Sequence, residues 1–322
     1  MDPASFCQSA RVLIVAGKGG VGKTTVTAAV ARMASRLGLS TLIVEIEGKS
    51  GLGATFGHPD PLTYEEVVLL PAEGGRAEVR ARTLTPDDAL VEYLVDHGLK
   101  RVSKRLVSSG ALDVVATAVP GLRDILVLGK VKSLERASAA DLIVVDAPAA
   151  GHAVTFLTSA RGLLDAFRVG PIRTQAQDVV NLLSDPRRCQ VLLVTLPEET
   201  PVNEAVETAF KIEDRVGVSL TPLVVNGVYP AAEGLAEFSP DRATVAGVAA
   251  EDAEALQAAA SFRLGRQALQ AEQIGRLAEA LPLPQLRLPY LFSGELGAAE
   301  VERLAEALAA GISALPEPAV RQ

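Results

Sequence analysis

The fold class of this chain follows from one stretch, Gly17-Lys18-Gly19-Gly20-Val21-Gly22-Lys23-Thr24-Thr25. It matches the pattern G-x-x-x-x-G-K-[ST] without a mismatch, and this pattern forms a loop whose backbone N–H groups surround a polyphosphate. Residues 11–16 before it are a short β-branched, apolar run typical of a buried strand, and residues 25–37 after it are rich in helix formers. A strand, a glycine loop and a helix, in this order, are the context that the pattern requires. We therefore predict a nucleotide-binding loop that uses every residue from Gly17 to Thr25.

Each polar residue in this loop has an expected partner on a bound nucleotide. Lys23, a predicted catalytic residue, would reach the β- and γ-phosphates, and the Thr24 hydroxyl would ligate Mg²⁺. The cofactors that the loop predicts are therefore ATP and Mg²⁺. The alternative is a glycine-rich turn with a chance lysine, and both the spacing and the flanking residues argue against it.

A second lysine, Lys18, stands directly after the first glycine of the loop. This K-G-G-x-G-K-[ST] form resembles the deviant Walker A loop, in which the extra lysine usually reaches across a dimer interface to the partner's nucleotide. The resemblance implies a catalytic role for Lys18 and a dimer as the working unit, because a cation beside the triphosphate stabilises charge during transfer. The alternative is a solvated lysine at the mouth of the loop.

Composition limits the classes of protein to which the chain can belong. Of 322 residues 48% are apolar and the net charge is −8, so we expect a sizeable core, no nucleic-acid partner and no docking on an acidic membrane surface. Cys7 and Cys189 are the only cysteines, which excludes a disulfide framework and a four-cysteine zinc site within one chain. The first residues lack a signal-peptide pattern and no apolar run reaches about 18 residues, so we expect a cytoplasmic protein without stable membrane insertion.

Two further strand candidates end in carboxylates, and ligands bind at that edge of doubly wound sheets. Residues 40–47 lead to Glu47, a candidate for positioning the attacking water or the magnesium shell; a solvated acid at a strand end is the alternative. Residues 141–146 end in Asp146, which is the Walker B arrangement for holding Mg²⁺ directly or through water. A loop that senses the γ-phosphate is expected at residues 147–152.

Helical spacing recurs on both sides of the strand that ends at Asp146. It covers residues 85–137, with an interruption at Pro120-Gly121, and residues 153–183. We predict one α/β P-loop ATPase domain, residues 1–322, with a doubly wound, mainly parallel sheet and a helical subdomain formed by residues 85–137 and 153–185. Apolar positions of this subdomain form either core or a groove for a hydrophobic client, and core is the better expectation for most of them.

The other segments alternate between strands, loops and helices. We predict a loop with a short helical turn at 57–76, an exposed or edge strand at 77–83, strands at 189–196 and 220–226, a loop at 230–248, one or two helices at 249–281, an extended segment at 282–289 and a final helix at 300–312. Asn226 ends its strand at the nucleotide side, where its amide reads the adenine edge or caps the next turn.

Several of these motifs, in this order, resemble the family of arsenite-pump ATPases and ATPases that target tail-anchored proteins. The motifs are the loop 17–25, Pro120-Gly121 with Asp124, residues 146–152 resembling D-T-A-P-T-G-H, Val225-Asn226, and the L-P-x-L segment 288–291. The pattern resembles in particular bacterial, actinobacterial-type members described as anion-transporting ATPase-like. The resemblance implies adenine contacts from Asn226, Pro289 and Tyr290, a homodimer or a heterodimer with a paralogous ATPase, and a hydrophobic or tail-anchored protein client.

The chain departs from that family at two places. Glu47 stands where the family has a catalytic aspartate, and a displacement of about 1 Å from the extra methylene can lower a rate about 10²-fold. Cysteine clusters that bind arsenite or zinc in the family are absent. The leading hypothesis is a dimeric Mg-ATP-dependent ATPase that captures or targets a hydrophobic client. The alternatives are a weakly hydrolysing regulatory subunit and an anion-pump subunit; a partitioning ATPase would need a basic face or an amphipathic tail.

Overall fold

A nine-stranded sheet runs through the centre of the molecule, in a computed structural model that describes residues 1–46, 51–96, 98, 101 and 121–316. The strands lie in the order β3-β4-β2-β5-β1-β6-β8-β9, with β7 beside β6. Their bounds are β1 Val12–Gly17, β2 Thr41–Ile46, β3 Val67–Leu70, β4 Val79–Leu84, β5 Leu142–Ala149, β6 Cys189–Thr195, β7 Ser219–Leu220, β8 Leu223–Val228 and β9 Gln285–Pro289. Among these strands every pairing is parallel except that of β3 with β4. The predicted α/β class with a mainly parallel, doubly wound sheet is confirmed.

Helices cover both faces of this sheet. Their bounds are α1 Pro3–Cys7, α2 Lys23–Arg36, α3 Leu52–Thr55, α4 Pro86–Asp96, α5 Leu122–Arg136, α6 Ala150–Ala166, α7 Pro171–Leu183, α8 Glu199–Val216, α9 Pro240–Val245, α10 Ala250–Ala280 and α11 Ala298–Ser313. Helices α2 and α11 pack against each other on one face. Helices α5 to α8 pack on the other face.

Strand β1 shows why the sheet requires helices on both sides. Val12 and Ile14 point into the cluster that contains α5 to α8, whereas Leu13 and Val15 point into the cluster that contains α2 and α11. All four side chains are buried. A central parallel strand is buried on both faces and therefore has a continuous apolar sequence rather than an alternating one.

The sequence-based prediction was wrong at the edge of the sheet that β3 forms. Strand β3 lies inside the segment predicted as a loop, and β4 lies between β3 and β2 with Val79 and Ala81 fully buried. Arg80 and Arg82 alternate with apolar residues along β4, and this alternation is typical of an exposed strand. They form ion pairs instead, since Arg80 Nη1 lies 2.5 Å and Arg82 Nη1 lies 3.7 Å from the Glu66 carboxylate.

Two loop predictions were also wrong. Residues 147–152 do not form a loop, because β5 continues to Ala149 and α6 begins at Ala150. The segment 230–248 contains α9, which begins after Ser239, whose hydroxyl accepts a hydrogen bond from the Arg242 N–H. The predicted helix at 249–281 is a single helix of 31 residues.

The helices α4 to α7 are the described part of the predicted helical subdomain. They pack against one another, and α5, α6 and α7 share one hydrophobic cluster with the sheet. Helix α5 begins after Gly121, whose φ of 80° is a conformation that favours glycine; Pro120 lies outside the described residues. In the part of the chain that the structure describes, none of the helices combines the length and the apolar character needed to cross a bilayer.

Candidate functional site

The glycine loop connects the carboxyl end of β1 to the start of α2. A Cβ atom on Gly17 would lie 2.2 Å from the backbone carbonyl oxygen of Val194 in β6, so only glycine fits where the chain leaves the sheet. Helix α2 begins at Lys23, and its first backbone N–H groups therefore face the loop. The N-terminus of a helix favours an anion, which fits the predicted phosphate site.

Gly22 and Asn226 are in close contact across this loop. The φ of Gly22 is 89°, and a Cβ atom there would lie 2.3 Å from Asn226 Nδ2. Asn226 Nδ2 donates a hydrogen bond to the Val21 carbonyl oxygen at 2.9 Å. The amide that was predicted to read adenine or to cap the next turn therefore holds the glycine loop against β8. A contact between Asn226 and adenine stays a prediction.

Thr24 and Asp146 meet beside the loop. The Thr24 hydroxyl donates a hydrogen bond of 2.7 Å to Asp146 Oδ2, and the Asp146 side chain is fully buried. A hydroxyl and a carboxylate side by side are hard oxygen donors of the kind that Mg²⁺ prefers. The residues present therefore fit a magnesium ion, which Thr24 and Asp146 would hold.

Lys23 points back over the loop. Its Nζ atom donates to the Lys18 carbonyl oxygen at 3.1 Å, and the side chain is mostly buried. An open cavity of about 370 Å³ lies against it, and its lining consists of Gly19, Gly20, Gly22, Lys23, Thr24 and Ala149. The ammonium group and the helix N-terminus thus face the same space, and both favour a bound anion.

The second loop lysine makes a contact within its own chain. Lys18 Nζ lies 2.8 Å from Glu204 Oε1 of α8, and both side chains are more than a third exposed. The sequence did not predict this ion pair, because it joins residues that are 186 positions apart. Glu47, the third predicted catalytic residue beside Lys18 and Lys23, lies outside the described residues.

Glu45 is a residue of this edge that the sequence analysis did not assign. It lies in β2, it is 1% exposed, and its Oε2 atom accepts a hydrogen bond of 3.0 Å from the Thr83 hydroxyl. Its Cα atom is the register partner of Asp146 on β5. The available signal was a charged residue inside an otherwise apolar strand, where buried acids are rare.

Pro289 and Tyr290, two further residues predicted to contact adenine, lie at the end of β9 beside a group of aromatic rings. Strand β9 ends at Pro289, and the Tyr290 N–H donates to the Val228 carbonyl oxygen at 2.8 Å. The half-exposed Tyr290 ring lies 5.0 Å from the Tyr229 ring and 4.8 Å from the Phe292 ring between centroids. The adenine contacts of Pro289 and Tyr290 stay predictions.

Helix α10 supports this aromatic group from one side. Gln270 Oε1 accepts from the Tyr229 N–H at 2.8 Å, and Gln270 Nε2 donates to the Gly227 carbonyl oxygen at 3.0 Å. The Arg263 guanidinium lies 4.9 Å from the centre of the Phe292 ring, a distance at which a cation and a ring attract each other. The sequence indicated the helix but not these contacts.

The cysteines take no part in this site. Cys7 and Cys189 are free and buried, and burial is the largest cause that raises the pKa of each thiol to about 12. At neutral pH both are therefore protonated, and a thiol without its thiolate is a poor nucleophile and metal ligand.

Comparison with known proteins agrees with this geometry. The family model described as anion-transporting ATPase matches residues 10–169, which include the loop, Glu45 and Asp146. The ATPase BagA of Mycobacterium tuberculosis (strain ATCC 25618 / H37Rv) is 33% identical over 326 residues, covering 93% of this chain and 92% of the relative. An arsenical pump-driving ATPase of Escherichia coli is 26% identical over 69% of this chain and 40% of the relative. Since a relative of nearly the same length shares a third of its residues, the resemblance seen in the motifs is confirmed: the chain is a P-loop ATPase and belongs to the anion-transporting ATPase family.

Proposed function

We propose that this ATPase works as a Mg-ATP-dependent dimer in the cytoplasm and couples nucleotide binding and hydrolysis to the capture or targeting of a hydrophobic protein client. The observation that carries the nucleotide part is the group formed by Lys23, Thr24 and Asp146 at one end of the glycine loop. When bound, Mg²⁺ would neutralise charge on the β- and γ-phosphates. Lys23 binds and orients the phosphates, and Asn226 keeps the loop in the shape that receives them.

The dimer part of the proposal concerns Lys18. A lysine that serves the partner's nucleotide must first leave Glu204, to which it is bound within its own chain. Because both side chains are more than a third exposed, this ion pair is worth less than about 1 kcal/mol. New contacts of Lys18 with a triphosphate would readily exceed that value, so the ion pair is no obstacle to dimer closure.

The client part rests on the helices next to Asp146. Strand β5 runs directly into α6, and α6 packs against α5, α7 and α8. A movement at Asp146 on nucleotide binding would therefore reach the helical layer without an intervening loop. Of these helices, α5, α6 and α7 belong to the described part of the proposed subdomain of residues 85–137 and 153–185.

ATP turnover at several protein concentrations tests the proposal. We expect Lys23→Ala to lower turnover at every concentration, by about 10² to 10³-fold, because a charge-stabilising contact is lost. Lys18→Ala should remove the part of the specific activity that rises with protein concentration, since that part requires a dimer. Lys211→Ala, which removes an exposed ion pair with Glu207 on α8, is the matched control and should behave as the parent. Unchanged turnover in both loop variants would refute the proposal.

A weakly hydrolysing subunit of a heterodimer is the second candidate, and Glu47 is the observation that favours it. The longer side chain stands where the family has aspartate, and slow hydrolysis by the isolated chain would follow. Turnover of the isolated chain should then be low and should rise when a paralogous ATPase is added. High turnover of the chain alone would argue against this candidate.

The name of the E. coli relative suggests a third candidate, an ATPase that drives an anion pump. Arsenite-type ligands bind thiolates, and both thiols of this chain are buried and protonated at neutral pH. In the described residues no group of three or more histidine, cysteine, aspartate or glutamate side chains could hold a metal ion. Stimulation of turnover by arsenite would favour the pump.

A further inference from the structure

We propose that Glu45 is a positioning residue of the magnesium site, and that its carboxylate strengthens binding of the metal that Thr24 and Asp146 would hold. The inference rests on the proposed Mg-ATP function. It assigns a role to Glu45, a buried acid that has no part in the nucleotide site as proposed above.

The first argument is the face of the sheet on which Glu45 lies. Ile43, two residues earlier on β2, packs against Ala28 and Ala31 of α2. Side chains two residues apart on a strand share a face, so Glu45 also lies on the α2 side. Asp146 lies on that side as well, because its carboxylate accepts the hydrogen bond from Thr24 of α2.

The second argument is the register of three neighbouring strands. The Cα atom of Glu45 is paired with that of Thr83 on β4 and with that of Asp146 on β5. Adjacent strands are about 4.8 Å apart, and in-register residues of parallel strands point to the same face. The two acids therefore lie side by side in one row of polar residues. The Thr83 hydroxyl donates a hydrogen bond to Glu45 at one end of this row, and the Thr24 hydroxyl donates one to Asp146 at the other end.

The third argument is electrostatic. Glu45 is 1% exposed and Asp146 is fully buried, so both carboxylates have lost most of their hydration. Two neighbouring buried carboxylates repel each other, and a divalent cation beside them removes that repulsion. Mg²⁺ at Thr24 and Asp146 would thus gain affinity from the charge of Glu45, which the hydrogen bond from Thr83 holds in place.

A role in the fold alone makes a different prediction. If Glu45 served only to accept the hydrogen bond from Thr83, glutamine of the same shape would replace it with little effect on metal binding. Removing charge from two adjacent buried acids would then be neutral or stabilising for the fold. Metal affinity therefore distinguishes the two roles, and stability alone does not.

The test is a titration of MgCl₂ into the full chain with a fluorescent ATP analogue, followed by anisotropy, and the same binding measurement in EDTA. We expect Glu45→Gln to raise the Mg²⁺ concentration for half-maximal binding about 10-fold, as loss of outer partners of a metal site typically does. Binding of the analogue in EDTA should not weaken, since the substitution removes a negative charge and no phosphate contact. Glu45→Asp keeps the charge and should recover part of the affinity. Glu207→Gln on the surface of α8 is the matched control and should leave both curves unchanged.

Each outcome decides between the roles. An unchanged Mg²⁺ dependence in Glu45→Gln overturns the inference, and so does an equal loss of binding with and without Mg²⁺, which indicates a general effect on the fold. If circular dichroism shows that Glu45→Gln does not fold, Thr83→Val provides the test, because it keeps the carboxylate and removes its hydrogen bond. A shift to higher Mg²⁺ in that variant supports the inference, and no shift overturns it. A parent chain that binds no adenine nucleotide in Mg²⁺ refutes the proposed function itself.

Discussion

Replacement of Gly22 by alanine tests whether Asn226 controls the shape of the nucleotide loop. Two effects add at this position. The φ of 89° is in the left-handed region, which costs a residue with a Cβ atom about 1–2 kcal/mol. The new Cβ atom would also lie 2.3 Å from Asn226 Nδ2, so the amide must move away and lose its 2.9 Å hydrogen bond to Val21, worth about 1 kcal/mol.

Gly20 provides the matched control for this variant. Its φ is 84°, and a Cβ atom there would have no neighbour within 4 Å. Gly20→Ala should therefore destabilise the chain by about 1–2 kcal/mol, from the backbone conformation alone. Gly22→Ala should destabilise it by about 2–3 kcal/mol, the sum of the two effects. Any stabilisation from a less flexible unfolded chain is the same for both variants and cancels in the comparison.

Urea unfolding without nucleotide, followed by circular dichroism, measures these differences. The decisive step is to repeat both glycine substitutions in an Asn226→Ala background, where the clash and the hydrogen bond are both absent. There Gly22→Ala should have the same effect as Gly20→Ala, which corresponds to a coupling of about 1 kcal/mol between Gly22 and Asn226. Equal effects of the two glycine substitutions in the parent, or strict additivity with Asn226→Ala, would show that the amide does not restrain the loop.

Two further predictions concern stability. Glu135 is buried and accepts two hydrogen bonds from Arg188, at 2.6 and 3.1 Å. Charged hydrogen bonds of this kind are worth about 1.5–3 kcal/mol, so Glu135→Gln should lower the free energy of unfolding in urea by about 2 kcal/mol. A change below about 0.5 kcal/mol would contradict this prediction. The carboxylate of Asp141 accepts hydrogen bonds from the Ser40 hydroxyl and the Ser40 N–H, and these lower its pKa from the ordinary value. A lowered pKa in the folded state gives stability that is present above the unfolded pKa of about 3.9 and is lost as the pH falls through the folded pKa. Asp141→Asn should therefore be less stable than the parent at pH 7 in thermal unfolding scans, and this difference should shrink as the pH falls below the unfolded pKa; a difference that does not shrink at acidic pH would contradict the assignment.

Local sequence was sufficient for the part of the site that lies on consecutive elements. The spacing of Gly17, Gly22 and Lys23 predicts the loop, and the apolar run before Asp146 predicts the strand that carries it. Each of these signals depends on residues within about ten positions, where the preferences of strand, turn and helix act directly. The structure accordingly has a strand, a loop and a helix where the motif requires them.

Contacts between distant segments were not predictable in the same way. Lys18 and Glu204, and Val21 and Asn226, are pairs that only the packed sheet brings together. The strand pattern predicted the edge of the sheet at which Asn226 lies, but the direction of its amide depends on how β8 packs beside the loop. Strand β3 was missed for a related reason, since a four-residue edge strand is recognisable mainly through its pairing with β4.

Glu45 was visible in the sequence and was still not assigned. Two acids, Glu45 and Glu47, lie in the segment predicted as the second strand, residues 40–47, and only Glu47 was given a role. In the structure β2 extends to Ile46, so Glu45 belongs to the buried sheet rather than to the turn. The strand predicted at residues 40–47 already contained Glu45, and only the packing of β2 between β4 and β5 shows that this acid is buried.

The inert state of both native thiols makes the chain convenient for site-specific labelling. Because Cys7 and Cys189 are buried and protonated at neutral pH, a maleimide dye or a nitroxide should react selectively with a cysteine introduced on the surface, without prior removal of the native ones. One such label on the exposed face of α8 would report, by fluorescence transfer or pulsed spin resonance, when two copies approach each other and how far apart they remain.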